Sequence, residues 1–142
     1  MQIDKNQVLD LIRFSKYCNM STINEYGYPR IIMMAVIRFD DLENIWFATS
    51  KNSEKYKQLV FNNHAGLMFQ QGTNYASLIG EVDIFDDQQT RNDLWSPALE
   101  KYFPLGMTDD NYIILKFRTK SITAGFNYSS YSEQISEFVP GK

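Results

Sequence analysis

A chain of 142 residues with 44% hydrophobic and 22% charged side chains is the size of one domain and can bury a core without disulfide or metal staples. One cysteine and one histidine exclude an internal disulfide framework and a conventional zinc site. They also leave Cys18 with His64 as the sole pair for Cys–His chemistry. A net charge of −3 without a basic stripe argues against nucleic acid as a partner. The absence of a long apolar run argues against a membrane span, and the early charges Asp4, Lys5, Asp10 and Arg13 against a signal peptide. The expected compartment is the cytoplasm, with which a lone cysteine agrees.

In chain order, residues 4–17 read as a helix, with Asp4 as N-cap and Gln7 at the capping-box position. Val8, Leu11 and Ile12 form its apolar stripe. Residues 20–23 read as a short strand. Residues 28–39 read as one long strand, opened by Pro29 and apolar on both faces, which predicts cover on both sides. A loop at 40–44 leads into a return strand, 45–49. Ser53 caps a helix over 54–62 that turns Tyr56, Leu59 and Val60 inward. Strands follow at 65–70 and 75–85, the second alternating cleanly around Gly80, which signals a bulge or a close backbone approach. Asp86 or Asp87 caps a helix over 88–94, and Ser96-Pro97 ends it. Two last strands are expected at 112–117 and 121–126, then a polar segment. Hairpins dominate, so the fold class is α+β: a mainly β, mostly antiparallel barrel with peripheral helices.

Thr49-Ser50-Lys51-Asn52-Ser53-Glu54-Lys55 carries the best local signal for chemistry. A strand ends, a polar turn follows and a helix begins. Free N–H groups and the helix dipole at such a start attract anions. Thr49, Ser50 and Ser53 add hydroxyls, and Lys51 and Lys55 add charge. The same residues also suit a plain cap with solvated lysines, and the glycines of a nucleotide-triphosphate loop are missing. Arg30, just before the apolar run Ile31-Ile32-Met33-Met34, is placed either to meet a planar heterocycle or to lie in water. His64 reads as a turn residue, and Cys18 as a small core residue. Trp95, Tyr102 and Phe103 read as packing. No Ser–His–Asp set or metal cluster is legible.

Together these segments resemble the pyridoxamine-phosphate-oxidase-like flavoproteins of the FMN-binding split-barrel type, and within them the general stress protein subgroup. The marks are Met20-Ser21-Thr22, Gly27-Tyr28-Pro29-Arg30, Ile45-Trp46-Phe47-Ala48-Thr49, Ser53 with Lys55 and Leu59, residues 62–69, Gly80-Glu81-Val82, and Leu94-Trp95-Ser96-Pro97 with Phe103-Pro104-Leu105-Gly106. The resemblance implies a six- to seven-stranded antiparallel split barrel over residues 1–128, with 129–142 as a polar tail or dimer arm. It implies a homodimer with FMN at the interface, acting as an oxidoreductase on an unknown small molecule. Thr49, Ser50, Ser53 and Lys55 would hold the flavin phosphate. Arg30, Ile31, Ile32 and Met33 would run along the ring, and Gln70 would reach it from the other chain. Two departures stand out. Glu54 occupies the position where true oxidases carry a second basic residue. Residues 124–128, Ala-Gly-Phe-Asn-Tyr, lack the arginine and histidine that bind the vitamin B6 substrate, and Phe126 replaces a tryptophan common in the subgroup. Oxidation of pyridoxamine phosphate itself is therefore not expected. The alternative is a split barrel without redox function, serving as a ligand sensor or interaction module. Haem and deazaflavin are further cofactor alternatives, haem the poorer with His64 as the one imidazole.

Overall fold

Helix α1 (Lys5–Arg13) begins with the expected reciprocal cap: the Asp4 carboxylate accepts from the Asn6 N–H at 3.0 Å, and the Asp4 N–H donates to Gln7 Oε1 at 3.0 Å. In the computed structural model, which describes residues 3–140, this helix buries Val8, Leu11 and Ile12 across β5 (His64–Gln71) and β6 (Asn74–Phe85). It is shorter than expected. β1 (Tyr17–Ile23) takes over early because Cys18, Met20 and Thr22 already follow the strand period and all point into the core.

The remaining strands are β2 (Pro29–Ala35), β3 (Arg38–Asp41), β4 (Asn44–Ser50), β7 (Tyr112–Phe126) and β8 (Ser129–Gln134). Their order in the sheet is β2-β1-β5-β6-β7-β4-β3, with β8 beside β7, and every pairing is antiparallel. The two ends of this order, β2 and β3, are consecutive in the chain. The single long strand expected over 28–39 is therefore two strands serving opposite edges. The link between them is anchored to both: the Val36 N–H donates to the Lys16 carbonyl and the Ile37 N–H to the Trp46 carbonyl, each at 2.9 Å. The sheet curls until its edges meet in sequence but does not close by a ladder, which is a split barrel.

Inside lie Met20, Ile45, Phe47, Leu67, Phe69, Leu78, Leu115 and Phe117, closed over by α1 and by Leu59 of α2 (Glu54–Phe61). On the outside of β4 and β7 a second cluster forms from Tyr112 and Ile114 with Leu94, Leu99 and Phe103. These last three come from α3 (Gln88–Leu94), capped by Asp87, and from the turns after it. Two expectations change. Val60 of α2 is exposed rather than buried. Cover on both faces of β2 is missing within one chain: Ile31 is 68% and Met33 72% exposed.

The strands expected at 112–117 and 121–126 form one, β7. Arg118-Thr119-Lys120 contains no turn former, and it passes β6 through a bulge: Ile79 pairs with Ser121, but Gly80 pairs with Thr119. The segment expected as a tail or arm opens with β8, which joins β7 through Asn127 and Tyr128, both at positive φ (46° and 70°). Glu133 of β8 ties back to α1 through Lys5 at 2.8 Å. Residues 135–140 have no regular structure, and 141–142 lie outside the described residues.

Gly80 supplies the close approach that makes the bulge possible. A Cβ there would stand 2.1 Å from the Arg118 carbonyl oxygen and 2.7 Å from Phe117 Cζ. At Gly66 the nearest atom would be 3.5 Å away, an ordinary contact. Gly80→Ala is expected to destabilise the fold by about 2–3 kcal/mol, and Gly66→Ala by far less. Paired denaturant titrations, compared at equal m values, check this.

Candidate functional site

β4 delivers Thr49 and Ser50 to the start of α2, where Ser53 caps the helix by accepting from the Tyr56 N–H at 3.2 Å. The Ser53 hydroxyl donates to the Ser50 carbonyl at 2.8 Å and lies 3.0 Å from Thr49 Oγ1. A hydroxyl has one proton, so Thr49 donates in that second contact. Thr49 in turn accepts from Lys55 Nζ at 3.2 Å. The Ser50 hydroxyl accepts from the Asn52 N–H at 3.1 Å and keeps its own proton. Two N–H bonds of Lys55 and the Ser50 hydroxyl proton remain to be given away.

Lys55 is half-buried, and among the described residues neither it nor Arg30 has a carboxylate within ion-pair distance. Burial lowers the Lys55 pKa below the usual lysine value, and repulsion from the Arg30 guanidinium lowers it further. A half-buried ammonium beside a second cation, with no counter-charge among the described residues, has the chemistry to accept an anion. Glu54 does not spoil it. Its carboxylate is turned outward to Lys57 Nζ, 3.8 Å away, on the exposed side of α2.

The cradle opens on a cavity of about 370 Å³. One end is polar, with Thr49, Ser50, Ser53 and Lys55. The rest of the lining is apolar or aromatic and includes Met33, Ile37, Leu99, Tyr102 and Phe103. No aspartate, glutamate or histidine lines it. This donor set suits a phosphomonoester with a flat apolar body, and so fits FMN.

Other expected site residues are placed elsewhere. Ile31 stands on the outer face of the sheet with Ile79, beside the shallow hollow over Gly66. Ile32 packs against the main core. Gln70 is exposed at the β5–β6 hairpin, its amide donating to the Gly72 carbonyl at 3.1 Å. None of the three lines the cavity of one chain. Phe126 also packs against the main core. Conversely, Leu99, Tyr102 and Phe103 line the cavity, although Tyr102 and Phe103 read as packing in the sequence. Ser96 capping the turn by accepting from the Ala98 N–H is the local signal that sets their orientation.

Cys18 and His64 do not form a pair. Asn19 pairs with Met68 and Thr22 with Ala65, so the cysteine lies at the far end of the β1–β5 ladder from His64, roughly 16 Å along the strand. Burial pushes the Cys18 thiol up to about 12, which keeps it protonated and inert. His64 instead faces Glu81 at 3.7 Å. Among the described residues no group of three or more His, Cys, Asp or Glu side chains is arranged to hold a metal, and no helix is long and apolar enough to cross a membrane.

Comparison with known proteins places this geometry. The family model for pyridoxamine 5'-phosphate oxidase like proteins matches residues 4–134. General stress protein 26 of Bacillus subtilis (strain 168) is 26% identical over 123 residues, which is 83% of this chain and 85% of the relative. A solved structure from Clostridium acetobutylicum, described as related to general stress protein 26 and of the pyridoxinephosphate oxidase family, superposes with a TM-score of 0.83 at 27% identity, over 94% of this chain and 97% of that one. General stress protein 26 from Bacillus anthracis str. Sterne superposes at 0.72 with 20% identity, over 84% and 92% of the two chains, a likeness of fold. An eight-stranded split barrel matched over residues 4–134 by the family model belongs to the pyridoxamine 5'-phosphate oxidase-like family.

Proposed function

We propose that this chain is an FMN-binding flavoprotein that works as a homodimer and serves as an oxidoreductase on a small molecule. The observation that carries the reading is Lys55: a half-buried ammonium with no carboxylate partner among the described residues, hydrogen-bonded to Thr49 and opening on an apolar cavity. The Lys55 ammonium, the Ser50 hydroxyl and the start of α2 receive the phosphate. Arg30 adds charge from the neighbouring strand, and Met33 borders the ring. When bound, FMN supplies hydride or electron transfer. The chain binds and orients it and excludes water. The lining holds no carboxylate or imidazole, which agrees with that division of labour.

Support for the homodimer comes from β2. It is an edge strand, with Ile31 and Met33 on one face, 68% and 72% exposed, and Ile79 on the same outer face, 52% exposed. An apolar edge left open invites pairing or burial. A second copy would cover it and bring Gln70 to the partner protomer's flavin.

Quenching of flavin fluorescence on titration measures binding. Lys55→Ala is expected to raise the Kd for FMN about 10- to 100-fold, the worth of a charge-assisted hydrogen bond of about 1.5–3 kcal/mol. Wild-type protein that binds no FMN at tens of micromolar (roughly −6 kcal/mol) would end this reading. The pH profile has a defined sign. Anion binding needs the charged amine, and the folded-state pKa is lowered. Affinity is therefore lost as pH rises through the lowered pKa, before the ordinary lysine value of about 10.4 is reached. Lys55→Arg should abolish that loss. Sedimentation at micromolar protein should show a dimer, and Ile31→Glu with Met33→Glu should give a folded monomer with weakened FMN binding. A wild-type monomer would count against the interfacial site.

A further inference from the structure

Tyr102 is the one aromatic of the α3–β7 connection that the core does not absorb. The turn carrying it is fixed: the Tyr102 and Phe103 N–H groups both donate to the Leu99 carbonyl, at 3.0 and 2.9 Å. Leu99 and Phe103 are buried on either side, and the Phe103 ring lies 5.1 Å from that of Tyr112. These anchors leave Tyr102 at the rim of the cavity, 65% exposed yet part of its lining. Lys101 Nζ stands 5.0 Å from the centre of its ring, a cation held on an aromatic face. The phosphate-binding end, at Thr49, Ser53 and Lys55, and the Tyr102 rim belong to one cavity of about 370 Å³. A ligand whose phosphate sits on Lys55 has Tyr102 among the side chains available to its body.

We propose that Tyr102 is a positioning residue that stacks on the planar ring of a phosphorylated ligand held by Lys55, giving the site its preference for aromatic over aliphatic phosphomonoesters. The inference rests on the FMN reading above and adds to it a residue and a selectivity. A ring stacked on an aromatic side chain gains affinity from that contact; an aliphatic phosphomonoester gains nothing there. Because Tyr102 is exposed and its neighbours carry the packing, replacing it should leave the fold intact, which a thermal melt confirms.

The experiment titrates FMN into wild type, Tyr102→Phe and Tyr102→Ala by flavin quenching, and measures displacement by ribose 5-phosphate. Expected are an FMN Kd about tenfold higher for Tyr102→Ala, equal to about 1.4 kcal/mol, near-wild-type binding for Tyr102→Phe, and unchanged ribose 5-phosphate affinity in all three. An FMN Kd that stays the same in Tyr102→Ala overturns the role of Tyr102 alone. Equal weakening of both ligands also overturns it, since a merely structural residue would act that way. Wild type that binds neither ligand overturns the phosphate cradle itself and this inference with it.

Discussion

The architecture turns on a link of two residues. Val36 and Ile37 join β2 and β3, the first and last members of the main sheet order, and their N–H groups are bonded to Lys16 and Trp46 on opposite sides. One strand pairing would close the barrel, but the chain crosses that gap instead of bridging it with a ladder. The end of β2 is thereby held against the end of β4. Met33 and Ile37, from β2 and the link, and Ala48, Thr49 and Ser50, from β4, all line the same cavity. The site is thus a by-product of incomplete closure. It sits where backbone hydrogen bonding stops and side chains must line a gap.

The charges of the molecule divide into two kinds. On β6 and β7, Arg118 bonds Asp83 at 2.7 Å and Glu81 at 3.1 Å, and Lys116, Lys120 and His64 stand within 4 Å of the same carboxylates. Hydrogen bonding to Asp83 pushes the Arg118 pKa up; this cluster satisfies itself. At the cradle the opposite holds. Lys55 is destabilised in its charged form by burial and by Arg30, and the hydroxyls around it supply dipoles but no negative charge. A fold gains nothing from such an arrangement by itself. The proposed anion from solution would supply the missing charge, a criterion that separates a binding cation from a structural one more firmly than exposure does.

Much of this was legible beforehand, for identifiable reasons. Asp4, Ser53 and Asp87 announce helix starts because a short polar side chain has a local partner within three residues, so no distant contact can overrule it. Gly80 announced the bulge because no other residue fits against the Arg118 carbonyl. The misreadings share another cause. The split of residues 28–39 is invisible locally, since both halves are extended and apolar; only the pairing of each half with a different neighbour separates them. The β7–β8 hairpin hid behind Asn127-Tyr128. A tyrosine at φ 70° is an unfavourable choice for a turn that normally recruits glycine, and the polar strand beyond it has Tyr131 as its main apolar anchor. Tyr102 and Phe103, adjacent in sequence, differ in role because the turn at Leu99 points one inward and the other outward.

That last pair bears on what the cavity offers a ligand in a chain whose one histidine and one cysteine both lie elsewhere. Cys18 is sealed in the core and His64 is engaged with Glu81. The cavity therefore offers hydroxyls and an ammonium beside apolar side chains, and no carboxylate, imidazole or thiol is among its lining residues. On the proposed reading, any reactivity of such a site comes from what it holds, and its selectivity follows from two separable demands, a dianionic group for Lys55 and a planar body for Tyr102, each ineffective without the other at low ligand concentration because neither contact alone exceeds a few kcal/mol.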